Sequence, residues 1–167
     1  MDKYIKHLIF SDVHVPFHNP TALRLLFDFI KWLKPNEITI NGDLMEFYDL
    51  SRFPRHFVSP TVAEEFEMTR DEVLSPLRKV YKGKINYVYG NHEFRMDSYL
   101  AAHARELQSL IGLSVEEQLQ LKKFKISWNY SGNRESWFKW GAILIGHWAK
   151  ALRQPGAAAR ELATQYG

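Results

Sequence analysis

The chain has 167 residues, of which 46% are hydrophobic and 25% are charged, a composition typical of one globular domain and not of a disordered chain. Its 22 basic and 19 acidic side chains give a formal charge of +3, which suits an anionic substrate without being a nucleic-acid signature by itself. It has no cysteine, which excludes disulfides, thiolate zinc sites and a cysteine nucleophile. No apolar run approaches the ~18 residues of a membrane span, and an acidic residue precedes any signal-peptide core. We therefore expect a cytoplasmic protein with no membrane contact.

Strands and helices alternate along the predicted secondary structure. In chain order, the predicted elements are a strand over 4–10, a helix over 19–34, a strand over 37–40, a helix over 59–82, a strand over 84–89, a helix over 94–110, a short helix at 114–117, two or three strands within 125–145 and a helical tail over 156–166. Asn19 can cap the first helix, and Pro20 fits its first turn. Pro76 should kink or split the second helix, because it removes a backbone hydrogen bond. This order predicts an α/β fold, a mixed β-sheet sandwich flanked by helices, in a single domain over residues 1–167.

Polar side chains follow four of these strands at the point where each strand ends. They are Asp12 and His14 after the first strand, Asp43 after the second, Asn91 and His92 after the third, and His147 after the last. Alone, an aspartate in such a place is usually a turn former or helix cap, and a histidine is usually structural. Because ligands of open α/β sheets bind beyond the carboxyl ends of the strands, the four occurrences together predict one site.

The residue types at this edge indicate a metal site. Carboxylates, a carboxamide and imidazoles are ligands of divalent transition metals, and two such ions about 3.5–4 Å apart can clamp a phosphoryl group. Asp43, on a tight Gly-Asp turn, is the candidate to bridge them. Two divalent ions against two carboxylates leave a positive surplus for a phosphate. A water shared by the ions would have its pKa lowered towards ~7 and would then be a hydroxide nucleophile.

Four motifs in this order resemble those of the calcineurin-like metallophosphoesterase superfamily. They are Asp12-Val13-His14, Gly42-Asp43-Leu44-Met45-Glu46, Gly90-Asn91-His92-Glu93 and Gly146-His147. The resemblance implies that Asp12 and His14 bind one metal, that Asp43 bridges both metals, and that Asn91 and His147 bind the second. It also implies that His92 contacts the phosphate and protonates the leaving oxygen, and that Glu46 orients this histidine.

The resemblance therefore implies a metal-dependent phosphoesterase, acting as a phosphatase or a phosphodiesterase. We expect two divalent ions, with manganese as the first candidate. Iron, zinc and nickel are the alternatives, because they accept similar oxygen and nitrogen donors. The expected substrate is a phosphomonoester, a phosphodiester or a nucleic acid.

One part of the superfamily pattern is missing from this sequence. The pattern ends with a further strand and a Gly-His-x-His turn, whose two histidines complete the two metal sites. We therefore expect a C-terminally incomplete domain, three protein ligands for each metal and weakened or incomplete metal occupancy. An exposed sheet edge would then favour oligomer formation. The alternatives are a catalytically impaired binding or scaffold domain and a structural α/β domain whose polar strand ends are coincidental.

Three arginines are candidates to bind the substrate. Arg52 and Arg55 follow the Asp43 turn and would grip a phosphate or a nucleic-acid backbone, unless they belong to a solvated basic loop. Arg95 either points into the site or pairs with an acid. The acidic cluster of residues 64, 65 and 67 is expected to be a solvated helix face.

Overall fold

The computed structural model describes residues 4–51, 60–130, 136–147, 154 and 156–166. The strands are β1 (His7–Phe10), β2 (Glu37–Asn41), β3 (Lys84–Val88), β4 (Ile126–Asn129), β5 (Trp137–Trp140) and β6 (Ile143–Gly146). The α-helices are α1 (Pro20–Leu33), α2 (Val62–Met68), α3 (Ser75–Val80), α4 (Phe94–His103), α5 (Val115–Gln118) and α6 (Ala157–Tyr166). A π-helical segment (Thr69–Leu74) joins α2 to α3, and short 3-10 turns lie at Tyr48–Leu50, Arg105–Leu107 and Ile111–Leu113. No helix among these residues is long and apolar enough to span a membrane.

The described strands form two sheets. Four parallel strands pair in the order β1-β2-β3-β4, and β5 and β6 form an antiparallel hairpin. The predicted α/β class is therefore confirmed. The antiparallel strands of the predicted mixed sheet form a separate hairpin, and the main sheet is parallel. Parallel pairing brings the carboxyl ends of β1, β2 and β3 to one edge, because Phe10 pairs with Ile40 and Ile40 pairs with Tyr87.

Alternation along β2 separates the core from the face that meets the hairpin. Ile38 and Ile40 are fully buried in the core cluster that includes Ile30 of α1 and Leu77 of α3. Side chains on the opposite face, Glu37 and Asn41, bind the hairpin by hydrogen bonds. The sequence of β2, Glu-Ile-Thr-Ile-Asn, therefore alternates, with apolar residues facing the helices and polar residues facing the hairpin.

The helix boundaries confirm two sequence predictions and correct a third. Asn19 caps α1, because its Oδ1 accepts the N–H groups of Thr21 at 2.9 Å and Ala22 at 3.1 Å. The helix predicted over 59–82 is divided just before Pro76 by the π-helical segment, since proline has no N–H to continue the regular ladder. The helix predicted over 94–110 is too long: α4 ends at His103, where Ala104 leaves helical geometry at φ −151° and ψ 53°.

Candidate metal centre and active site

Backbone hydrogen bonds join the loop after β1 to the loop after β2. The N–H of Asp12 donates to the Gly42 carbonyl at 3.2 Å, and that of His14 donates to the Asp43 carbonyl at 3.1 Å. Asp12, His14 and Asp43 all have left-handed backbones, with φ of 58°, 52° and 51°. Such conformations cost about 1–3 kcal/mol each and persist where the surroundings enforce them, commonly at functional sites. The strained loops bring the three predicted ligands together.

Glu93 accepts hydrogen bonds from the loop that carries Asp43, a role that the sequence did not predict. Its buried carboxylate accepts the N–H groups of Asp43 at 3.0 Å, Leu44 at 2.9 Å and Met45 at 3.2 Å. It also accepts the Tyr87 hydroxyl at 2.7 Å. Burial raises the pKa of Glu93, and the neighbouring charge of Asp43 raises it further. Its place in the Gly-Asn-His-Glu motif was the only sequence signal for this contact.

His147 lies beside Asp43 and Asn91, although β6, which it follows, pairs in the separate hairpin and not in the parallel sheet that the strand-end pattern predicts. Its Nε2 is 3.0 Å from Asn91 Oδ1 and 3.2 Å from Asp43 Oδ2. Burial works against a charged imidazole, but the hydrogen bond and charge of Asp43, together with the Asn41 carbonyl and the charge of Asp12, outweigh it and raise the pKa of His147 to about 9. Burial would likewise raise the pKa of Asp43, but hydrogen bonds from His147 and the His92 N–H lower it. The two side chains form an ion pair that a cation can replace.

Two glycines make this close approach possible. A Cβ on Gly42 would lie 2.6 Å from His147 Cγ, and its φ of +78° is a conformation that other residues adopt at a cost. A Cβ on Gly90 would collide with Asp43 Oδ1 and with the Asp43 backbone nitrogen. The glycines of both motifs are therefore required by contacts with metal-ligand candidates.

Glu46 lies between His14 and His92 and contacts both imidazole rings. Its Oε2 is 2.7 Å from His14 Nδ1 and 3.2 Å from His92 Nδ1. Burial would raise the pKa of Glu46, but the hydrogen bonds from His14 and His92 hold it well below its usual range. Because Glu46 takes Nδ1 of His14, the other nitrogen of that ring, Nε2, faces Asp12 Oδ1 at 3.7 Å.

Arg95 reaches the same group from α4. Its Nη1 is 3.0 Å from Glu46 Oε1, and its Nη2 is 3.0 Å from His92 Nε2. The sequence left two alternatives for Arg95, an ion pair with an acid or a position in the site, and the structure shows both at once. The other two arginine candidates, Arg52 and Arg55, lie outside the described residues.

A second buried carboxylate supports the loop that carries Glu46. Glu65 of α2 is 1% exposed and accepts the N–H of Phe47, whose backbone is left-handed at φ 50°. Burial raises the pKa of Glu65 to about 7. The expected solvated face is thus wrong for Glu65 and correct for Glu64 and Glu67, which are exposed. Glu65 turns inwards because a buried loop N–H needs an acceptor.

The donors in this cluster are of the kinds that divalent transition metals bind. Within the described ranges, ligand atoms of Asp12, His14 and Asp43 lie within 4.8 Å of one another, as do those of His14, Glu46 and His92. The expected second set, Asp43, Asn91 and His147, is joined by the short contacts given above. All these donors are oxygen or imidazole nitrogen, the set that manganese, iron and zinc accept. Asp12 is 56% exposed, so its carboxylate faces solvent.

A parallel sheet with this cluster at its carboxyl edge defines a metal-dependent phosphoesterase fold. Residues 5–157 match the family described as calcineurin-like phosphoesterase, and the chain belongs to that family. Two curated relatives are each named Gene 54 protein, one from Mycobacterium phage D29 and one from Mycobacterium phage L5. They are 30% and 29% identical to this chain over 103 residues, which is 60% of this chain. The match spans only 40% of the length of each phage protein.

Proposed function

We propose that this chain hydrolyses a phosphomonoester or phosphodiester in a reaction that requires two divalent metal ions, manganese first. The observation that carries the proposal is the convergence of carboxylate, carboxamide and imidazole groups on one buried carboxylate, Asp43. Asp12, His14 and Asp43 would hold one ion, and Asp43, Asn91 and His147 the other. When bound, the ions would supply Lewis acidity that stabilises negative charge on phosphoryl oxygens.

His92 is the proposed general acid. Its Nδ1 faces Glu46, which fixes the ring orientation, and protonated Nε2 would deliver a proton to the leaving oxygen once Arg95 Nη2, which lies 3.0 Å from it, has turned to the phosphate. His92 Nε2 is 3.8 Å from Asp43 Oδ2, so the donor nitrogen lies beside the proposed metal bridge. Glu46 is therefore a positioning residue for both His92 and His14.

Arg95 is the proposed anchor for the substrate phosphate. Its guanidinium is held by Glu46 and lies against His92 Nε2, so a phosphate that approaches this nitrogen also meets a cation. A planar guanidinium suits phosphate oxygens, because it can donate two parallel hydrogen bonds. We extend the proposal to Arg52 and Arg55 on their sequence position alone. A nucleic-acid substrate, an edge-to-edge oligomer and a cytoplasmic location also rest on sequence alone.

Manganese-dependent hydrolysis of p-nitrophenyl phosphate and bis-p-nitrophenyl phosphate tests this function. We expect the wild-type chain to cleave at least one of them, and His92→Ala to lose most of that activity. His103→Ala is the matched control, because His103 is an exposed histidine that stacks on Tyr99 of the same helix. Equal activity in His92→Ala and the wild type would remove His92 from the mechanism. A wild-type chain that binds manganese without cleaving either ester would favour the scaffold alternative.

A further inference from the structure

We infer that two side chains on one face of β2, Asn41 and Glu37, position the metal-ligand candidate His147 by fixing the β5–β6 hairpin at two points. The inference rests on the proposed two-metal function and assigns positioning residues to one of its metal sites. Neither residue belongs to the ligand set.

Asn41 holds the end of the hairpin that carries His147. Its side-chain Nδ2 donates to the Gly146 carbonyl at 3.0 Å, and its backbone carbonyl accepts His147 Nδ1 at 2.8 Å. With Nδ1–H bound to Asn41, the nitrogen left to bind a metal is Nε2, which is the one that faces Asn91 and Asp43. Hydrogen bonds of this kind fix the tautomer and orientation of a metal-binding imidazole.

Glu37 holds the opposite end of the hairpin. Trp140 Nε1 donates to Glu37 Oε2 at 3.1 Å, and the Trp140 ring packs on His7 with centroids 4.5 Å apart. Glu37 is itself fixed by Lys84 Nζ at 2.8 Å. Glu37 and Asn41 are four residues apart on β2, about 13 Å at ~3.3 Å per residue. The Asn41 contact therefore lies at the Gly146 end of β6, and the Glu37 contact lies at the Ile143 end, which pairs with Trp140.

These side-chain contacts hold the hairpin against the parallel sheet, with which its strands form no ladder of backbone hydrogen bonds in the described residues. In the described part of the chain, β5 and β6 pair with each other and belong to a sheet separate from the parallel one. Two of the four β6 residues, Ile143 and Leu144, are 54% and 45% exposed, so little apolar burial holds that strand. The loops that carry Asp12, His14 and Asp43 are instead joined by backbone hydrogen bonds. Loosening the hairpin should therefore weaken one metal site and spare the other.

Titration of the metal-free chain with Mn²⁺, with the free ion counted by electron paramagnetic resonance, tests the inference. The variants are Asn41→Ala, which removes the Nδ2 contact to Gly146 and keeps the backbone carbonyl that accepts His147 Nδ1, and Trp140→Phe, which keeps one aromatic ring and removes the far donor with its five-membered ring. Lys139→Ala is the control, because Lys139 is exposed on β5. We expect Asn41→Ala to weaken one site by up to about 10-fold, the low end of the range for outer-shell partners of metal ligands, because the backbone carbonyl still accepts His147 Nδ1. Trp140→Phe should weaken the same site by a smaller factor, and the other site should stay within twofold in both variants.

The outcomes separate this inference from the function on which it rests. A folded wild-type chain that binds no Mn²⁺ would overturn both. Two wild-type sites that keep their affinities in both variants would overturn the positioning role alone, and so would equal weakening of both sites. If Asn41→Ala fails to fold by circular dichroism, Trp140→Phe decides the result, since it leaves the backbone unchanged and keeps an aromatic ring beside His7.

Discussion

Asp43 and Glu93 hold each other's loops in place: Glu93 Oε2 accepts the Asp43 N–H at 3.0 Å, and Asp43 Oδ1 accepts the N–H of His92, next to Glu93, at 3.0 Å. The proposed bridging carboxylate is therefore fixed by the loop that also carries Asn91 and the proposed general acid. The two motifs form one hydrogen-bonded unit, and each depends on the other for its shape.

Removal of the Glu93 carboxylate should destabilise the whole site. Glu93→Ala leaves the buried N–H groups of Asp43, Leu44 and Met45 without their acceptor, at a cost of about 1–3 kcal/mol for each group that water does not reach. We expect a loss of about 3 kcal/mol in the free energy of unfolding. Glu93→Gln should lose less, because it keeps one acceptor oxygen. Urea unfolding measures both, and a loss below about 1 kcal/mol in Glu93→Ala would contradict this reading.

Glu65 should make the stability fall as pH rises from 4.5 towards 7. Its pKa in the folded chain is about 7, against a usual value of 4.5. Between these values the folded state keeps a proton that the unfolded state has lost, so higher pH favours unfolding. Glu65→Gln should remove this part of the pH dependence, whereas Glu67→Gln, exposed on the same helix, should keep it. Parallel slopes for Glu65→Gln and the wild type over pH 4–8 would show that Glu65 titrates normally.

His147 should also make stability fall as pH rises, but over the alkaline range and in the metal-free chain. Its pKa is raised from 6.5 to about 9 by Asp43, despite burial. The ion pair therefore contributes its full stability below pH 6.5 and loses it as pH rises through about 9. We expect the melting temperature in a chelator to fall over that window in the wild type and to change less in His147→Gln. An equal fall in both would assign the alkaline loss to other groups.

Gly42 and Gly141 offer a matched test of the close approach to His147. Both have left-handed backbones, at φ +78° and +58°, but a Cβ on Gly141 would meet nothing within 4 Å. Gly141→Ala should lower the free energy of unfolding by about 1–2 kcal/mol, the cost of a left-handed backbone for a residue with a Cβ. Gly42→Ala should cost more and also weaken Mn²⁺ binding, because the new methyl displaces the His147 ring. Equal effects of the two substitutions on stability and on Mn²⁺ binding would argue against a steric role for Gly42.

The strand-end pattern explains why Asp12, His14, Asp43 and Asn91 meet, because parallel strands deliver their carboxyl ends to a common edge. The same pattern singled out His147, but for another reason than the one that brings it there: β6 belongs to a separate hairpin, which the Asn41 contacts hold beside β2. Glu65 could not be predicted in the same way. The sequence shows three neighbouring glutamates, and only the rotation of α2 against the Phe47 loop decides which one is buried. The same holds for Asn41, whose partners lie more than 100 positions away in the chain.

Manganese binding by Asp43→Asn, compared with the wild type at saturating Mn²⁺, tests the central claim most directly. The substitution keeps the shape of the side chain and removes the charge of the proposed bridge. The account predicts two ions per wild-type chain, loss of both from a folded Asp43→Asn chain, and loss of phosphoester hydrolysis with them. Unchanged Mn²⁺ binding in Asp43→Asn would contradict the claim that Asp43 organises a two-metal centre.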